Sequence, residues 1–369
     1  MGFAGFQLIS ILLPDLRGGG AERVSLDLAA AFLELGFRVE LVLMKAAGEF
    51  LEVAHAGISI VELDSPRARL VPFKLAKYIR DRRPAAMVAN MWPLTVAAAI
   101  GNVLSCSGTR LLLVEHNTLS VQYRDWGKLH RLGMALSLRV GGRTRAVLGA
   151  VSEGVAVDLA TLAGVPADRV KVLYNPIPIR PAPCSELCAR TNALWGRGAH
   201  KRILTVGSLK DQKNQELLLR AFKKLDDRNA VLMIVGKGEK EDDLRRVARD
   251  LGIADRVLFA GFQSDPMPFY HTADIFVLSS NYEGLPTVMI EALSCGLPVV
   301  STDCPSGPAE ILENGRYGWL TPVGDAEALA WAIEEALRTP VDKEALKRRA
   351  AEFSPEKAAK KYLEAMELA

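Results

Sequence analysis

Short apolar runs alternate with helical stretches along this chain, and the alternation halts at Asn175–Pro183, which reads "NPIPIRPAP". Four prolines in nine residues make a stiff connector that neither a helix nor a central strand tolerates. Before it, "FQLISILLP", "RVELVLM", "ISIVELD", "AAMVAN", "RLLLVEH" and "AVLGAVS" read as strands. "AERVSLDLAAAFLELG" among them has helical spacing and a glycine stop. After the connector, "KRILTVGS", "AVLMIVG", "RVLFAGF", "IFVLSS", "PVVSTD" and "GWLTP" are strands, with "NQELLLRAFKKL" and "KEDDLRRVARDLG" as helices. Strands separated by helices build a parallel sheet covered on both faces. The expectation is an α/β chain of two Rossmann-like parallel-sheet domains, facing each other across a cleft where open sheets bind ligands. The boundary is placed at 180/181, giving domains 1–180 and 181–354. A last helix, about 355–369, is expected to pack back on the first, with Ser354 as its cap and Pro355 at its first position.

A chain of 369 residues exceeds one ordinary core, in keeping with two domains. The formal charge of +3 gives no case for nucleic acid. That charge is uneven: up to Ser185 the chain carries 21 Lys and Arg against 15 Asp and Glu, and the remainder reverses the balance. Five cysteines without paired spacing argue against a disulfide framework or a structural zinc site. With no signal-peptide pattern at the start, a cytoplasmic protein is expected. The charge-free stretch between Arg83 and Arg110 is long enough to raise a membrane span. Its Asn, Pro, Ser and Gly residues favour a buried strand followed by a small-residue helix.

The chemistry concentrates in a few loops. Gly18, Gly19 and Gly20 lie between the first strand and its helix, where backbone N–H groups can meet an anion. They match neither a dinucleotide fingerprint nor a P-loop, and a plain tight turn is an equal reading. "VGSLKDQKN" sets Ser208, Lys210 and Lys213 after the first strand of the second half, where a lysine can meet a phosphate as a point charge, solvated loop lysines being the plainer reading. "NYEGLPTVMIEALSCG" holds Glu283 and Glu291 in an otherwise apolar run, although a buried carboxylate needs a partner. Gly284, Leu285 and Pro286 lead into a helix, so Glu283 sits on the loop and Glu291 within the helix. Over the five steps from Pro286 the helix rises about 7–8 Å. Two carboxylates so placed can accept hydroxyl hydrogen bonds at two points of one elongated ligand, with helix N–H groups for an anion between. A nucleotide sugar has that chemistry; a core carboxylate and a solvated loop residue are the plainer alternative.

Over nearly its full length the chain resembles the family 4 retaining glycosyltransferases of GT-B architecture. The resemblance is carried by "GGAERV", "VEHNTLS", "AVSEGVAVDL" with "VLYNPI", "VGSLKDQKN" and "NYEGLPTVMIEALSCGLPVVSTDCPSGPAEIL". It implies a nucleotide-sugar donor, UDP-linked by the detail of these motifs, held mainly by the second domain while the first takes the acceptor. It also implies retention at the anomeric carbon, no cofactor and no obligatory metal. Glu283 would then contact the hexose or N-acetylhexosamine hydroxyls, Glu291 the ribose and Lys213 the diphosphate, capped by Gly19 or Gly20. His116 in "VEHN" would stand beside the transferred sugar. Where many relatives carry Arg, this chain has Ser208, leaving Lys213, helped by Lys210, to stabilise the leaving group. The base would be read near "GFQSD".

The first half's excess charge has a candidate use. Residues 67–83 place seven Lys and Arg among Leu70, Val71, Phe73, Leu75, Tyr78 and Ile79, a composition that suits an anionic membrane surface. An outer helix with a solvated basic face is the alternative. The expected activity is extension of a polyprenyl-diphosphate-linked oligosaccharide or a surface polysaccharide at the inner face of the plasma membrane. A UDP-sugar epimerase of the same architecture and a non-catalytic nucleotide-sugar binder are the competing readings. A glycoside hydrolase also pairs carboxylates, but phosphate-directed loops fit it poorly.

Overall fold

A computed structural model describes residues 7–17, 19–52, 54–196 and 200–368. The chain divides into two compact units, Met1–Pro178 with Phe353–Ala369, and Ile179–Glu352. The crossings therefore fall at 178/179 and 352/353, against the 180/181 and 354/355 read from the sequence.

The first unit contains strands β1 (Leu8–Leu13), β2 (Arg38–Leu43), β3 (Ile58–Glu62), β4 (Ala86–Asn90), β5 (Arg110–Glu115), β6 (Val147–Ala150) and β7 (Val170–Val172). They form one sheet in the order β3-β2-β1-β4-β5-β6-β7, and each pair is parallel. All six residues of β1 are buried, as a strand covered on both faces requires. The strand β7 was not anticipated, because three residues are too few to display an alternation.

The second unit contains β8 (Lys201–Val206), β9 (Ala230–Val235), β10 (Val257–Gly261), β11 (Ile275–Leu278), β12 (Val299–Thr302) and β13 (Trp319–Thr321). Their order is β10-β9-β8-β11-β12-β13, again parallel throughout. Its core packs Leu218 and Phe222 of the helix Gln215–Lys224 and Ile333 of the helix Ala326–Arg338 against Ile203, Leu232, Val277 and Val300. In both units the winding runs outward from the central strand and then reverses. The reversal falls between β1 and β4 in the first and between β8 and β11 in the second, where loops at the strand ends part and a ligand can enter.

The charge-free stretch becomes β4 and the helix Leu94–Ser105, and no described helix is long and apolar enough to cross a membrane. All five cysteines are free thiols. The helix Pro355–Ala365 starts at Ser354, whose Oγ accepts from Lys357 N, and packs on the helix Gly20–Glu34 of the first unit. The basic segment 67–83 is mostly the helix Val71–Arg82. Four of its six interleaved apolar side chains, Val71, Leu75, Tyr78 and Ile79, are buried in the domain, and Tyr78 donates its hydroxyl to Glu40. Leu70 and Phe73 remain exposed.

Candidate functional site

The strands flanking the reversal in the second unit deliver two loops, 207–214 after β8 and 279–286 after β11. Hydrogen bonds lace them together. Ser279 Oγ donates to the carbonyl of Lys213 at 3.0 Å, and Asn281 N to that of Gln212 at 2.8 Å. Gln212 Nε2 donates to the carbonyl of Tyr282 at 3.1 Å. Asn281 Nδ2 donates to the carbonyl of Asp211, and Asn214 Nδ2 to Asn281 Oδ1, both at 2.9 Å. Asn214 sits in the left-handed region and caps the following helix by accepting from Leu217 N.

This lacing aims Lys213 at Glu283. Its Nζ lies 2.6 Å from Glu283 Oε1, which also accepts from Ser280 Oγ at 2.6 Å. Glu283 is only 5% exposed, so its charge requires such partners. The sequence reading gave Lys213 and Glu283 to different parts of a ligand; the structure joins them in one buried ion pair. Lys210 stands exposed on the same loop, and Ser208, half-buried, holds it by accepting Lys210 N and Gln215 Nε2 at its carbonyl.

Two further loops fix this geometry. A Cβ on Gly236 would fall 1.9 Å from the Gly207 carbonyl oxygen, and one on Gly238 would fall 2.3 Å from that of Leu209. Only glycine lets the loop after β9 lie so close under the lysine loop. Beneath Glu283, Ser306 Oγ donates to the carbonyl of Gly284 at 2.9 Å. Gly307, at φ +94, meets Pro286 too closely for any Cβ. Gly284 and Leu285 are buried, and Pro286 is the cap of the helix Thr287–Ser294 rather than its first residue.

Glu291 lies within that helix, half-buried, and accepts the Tyr270 hydroxyl at 2.9 Å. Burial lifts its carboxyl above the usual range, against the Tyr270 hydrogen bond and the Arg180 charge, while Asp265 adds to the lift. Burial and the Glu291 charge push the Tyr270 phenol well above its ordinary value, so it stays a donor. Arg180 is itself 3.3 Å from Asp265, in the "GFQSD" loop after β10.

In the first unit, Gly19 is the cap and Gly20 the first residue of the helix Gly20–Glu34, while Gly18 lies outside the described residues. The Glu22 carboxylate folds over Gly19, 2.1 Å from where a Cβ would stand. At the end of β5, His116 Nε2 lies 2.9 Å from Oδ1 of Asn90, the last residue of β4. Asn90 Nδ2 reaches Ser25 Oγ at 3.5 Å, which ties the histidine to the glycine-started helix. Burial lowers the His116 pKa to about 4, so the ring is neutral near pH 7. With Nε2–H donating to Asn90, Nδ1 keeps its lone pair.

Beside it, Glu115 is 2% exposed and accepts Trp92 N at 3.0 Å and Thr95 Oγ1 at 2.8 Å. Burial raises its pKa to about 7, those two hydrogen bonds opposing and Asp158 adding. The sequence reading passed over Glu115, Asn90, Gln212, Ser280 and Tyr270. The first two carried a signal as polar residues ending apolar strands; Tyr270, 21 residues before Glu291, carried none. Among the described residues no three His, Cys, Asp or Glu side chains are grouped to hold a metal ion.

Two family models account for most of the chain. "Glycosyltransferase Family 4" matches residues 18–180 and "Glycosyl transferases group 1" matches residues 197–366. A 4-alpha-N-acetylgalactosaminyltransferase of Campylobacter jejuni, named for a diphospho-undecaprenol-linked acceptor, is 28% identical over 93% of this chain and 94% of its own. The amylovoran biosynthesis glycosyltransferase AmsD of Erwinia amylovora is 25% identical over 85% of each. Among solved structures, Anabaena HepE in complex with UDP matches with a TM-score of 0.81 at 21% identity, covering 98% of this chain and all of that one.

Proposed function

The chain belongs to the family 4 glycosyltransferases of GT-B architecture, and from that premise we propose that it moves a hexose or N-acetylhexosamine, with retention, from a UDP-sugar to a lipid-linked oligosaccharide or surface polysaccharide. The observation that carries the reading is the buried Lys213–Glu283 pair at the β8/β11 reversal. An incoming diphosphate offers Lys213 a more highly charged partner than one carboxylate. As Lys213 turns to it, Glu283 gains free lone pairs for sugar hydroxyls. Glu291, held by Tyr270, accepts from the ribose, and the backbone N–H groups from Gly284 and Leu285 onward face the diphosphate. Lys210 and Ser208 support the same group, and the base is read near Asp265. In the first unit, neutral His116 offers a hydroxyl an uncharged hydrogen-bond partner.

The C1–oxygen bond to the diphosphate breaks, and the acceptor oxygen bonds to C1 from the same face. The acceptor proton passes to a departing phosphate oxygen, while Lys213 stabilises the developing charge. No protein nucleophile and no metal enter the step. The acceptor class is supported by the name of the Campylobacter relative, and uridine by the HepE complex. The exposed basic face of residues 67–83 adds attraction to an anionic inner leaflet.

A screen of nucleotide sugars with released nucleotide as readout, followed by a panel of lipid-linked acceptors and NMR of the product's anomeric centre, tests this. The reading expects release from a UDP-sugar and a retained configuration; an isomerised donor without acceptor would point instead to an epimerase. Glu283→Gln is expected to lower turnover without a trapped intermediate. Covalent sugar on Glu283, seen by mass spectrometry, would replace same-face attack with double displacement.

A further inference from the structure

Two loops at the carboxyl end of the first sheet hold a cluster of rings that the core does not use. Trp92 follows β4, while Tyr123 and Trp126 lie between β5 and the helix Lys128–Gly142. The Trp92 ring meets Tyr123 at 5.4 Å and Trp126 at 5.8 Å between centroids, both edge-on. Tyr123 and Trp126 are 4.4 Å apart, and His130 meets Trp126 edge-on at 5.9 Å. Although three rings pack on it, Trp126 remains 41% exposed. We propose that Trp126 and Tyr123, braced by Trp92, form a stacking platform for a pyranose ring of the acceptor glycan, an inference that rests on the transfer reading above.

The bracing is specific. Trp92 donates its backbone N–H to Glu115 Oε2 at 3.0 Å and its indole N–H to Ser137 Oγ at 3.1 Å. Ser137 Oγ donates in turn to the Met134 carbonyl at 2.7 Å. Both polar groups of Trp92 are thus engaged within the domain, and its ring is a fixed wall. Trp126 donates its backbone N–H to the Tyr123 carbonyl at 3.1 Å, and its indole N–H has no partner among the described residues. An exposed apolar patch with a polar rim marks a binding site. A pyranose ring turns C–H groups toward the electron-rich face of an aromatic ring, while its hydroxyls need donors and acceptors around it. The rim offers both, because Gln122, Arg124 and Asp125 are exposed. Gln122 Nε2 lies 3.3 Å from the Tyr123 hydroxyl, and Arg124 pairs with Asp125 at 3.6 Å. One cation answered by one carboxylate favours a neutral polyhydroxyl ligand over a phosphate or an acidic peptide. Position selects the acceptor. Glu115, which holds Trp92, directly precedes His116, the neutral hydrogen-bond partner at the end of β5. The donor is assigned to the second unit, so a sugar held by this strand end belongs to the acceptor.

Saturation-transfer NMR of the full chain with UDP present, against free disaccharides of glucose, galactose and their N-acetylamino forms, tests this. At least one should bind, with saturation strongest at its ring C–H protons. Trp126→Ala should weaken that binding about tenfold and Trp126→Phe about twofold, both at unchanged thermal midpoint and unchanged UDP affinity by calorimetry. In turnover with an acceptor, Trp126→Ala should raise the acceptor KM about tenfold and leave the donor KM as it is. A disaccharide that binds Trp126→Ala as tightly as wild type overturns the proposal. So does a UDP affinity that falls as far as the sugar affinity, since Trp126 would then serve the fold. Donor turnover with no disaccharide bound would sink the platform alone. Trp126-dependent sugar binding with no nucleotide released from any donor would sink the transfer reading alone.

Discussion

The two units share a winding, and each buries a glutamate at the ends of its central strands, yet they treat that charge in opposite ways. In the second unit Glu283 is given a full cation at 2.6 Å. In the first, Glu115 receives a backbone N–H and a hydroxyl, and its pKa rises to about 7. Its neighbour His116 is driven the other way, to about 4. The same low-dielectric setting thus gives one carboxylate an ion-pair partner and moves the other carboxylate and its histidine neighbour toward their neutral forms. The cation in the second unit suits a diphosphate, whereas the neutral histidine in the first suits a hydroxyl.

Removing the cation should give the largest effect. Lys213→Met leaves Glu283 buried without its partner and the leaving group without its charge, and turnover should fall roughly 100- to 1,000-fold. A loss under fivefold would mean that Lys210 carries the role. The contrast is sharpened by Glu115→Gln, read as stability against pH. Because burial raises the Glu115 pKa from the ordinary 4.5 to about 7, its contribution is complete below the unfolded value and disappears as pH rises through the folded one. The variant should therefore gain on wild type between those limits by up to about 3 kcal/mol, seen by denaturant unfolding at acid and alkaline pH. The effect of His116 runs in the opposite direction but is common to both proteins, so it cancels in the difference. A pH-independent difference would break the comparison. Smallest is Tyr270→Phe, which removes one hydrogen bond to Glu291 and should raise the donor KM several-fold, about 1 kcal/mol, with kcat little changed. An equal fall in kcat would place Tyr270 with the reacting sugar instead.

Most of the fold was legible because buried parallel strands are written as apolar runs, and "NPIPIRPAP" shows where the first set ends. Glu283, Glu291 and Lys213 stood out as well, since carboxylates in an apolar run and a lysine after a strand are anomalies in the pattern. Their partners were hidden. Tyr270 and Gln212 reach the glutamates only through the tertiary arrangement of separate elements. Gly236 and Gly238 look like ordinary turn residues until the approach of the Gly207 and Leu209 carbonyls is known. The two basic helices teach the same limit. In residues 67–83 the apolar residues pointed to a membrane face, but the fold uses most of them inward. In "KLHRLGMALSLRVGG" apolar residues occur on every side, and composition does not say which side the domain covers.

The central claim is that Lys213 serves Glu283 and the donor diphosphate in turn. Calorimetric titration of UDP into the wild type, Lys213→Met and Glu283→Gln tests it directly. The account predicts that Lys213→Met weakens UDP binding about tenfold or more. Glu283→Gln should bind UDP as tightly as wild type or more tightly, because it frees the lysine. Equal weakening by both substitutions would contradict it, and would make the pair a purely structural clamp.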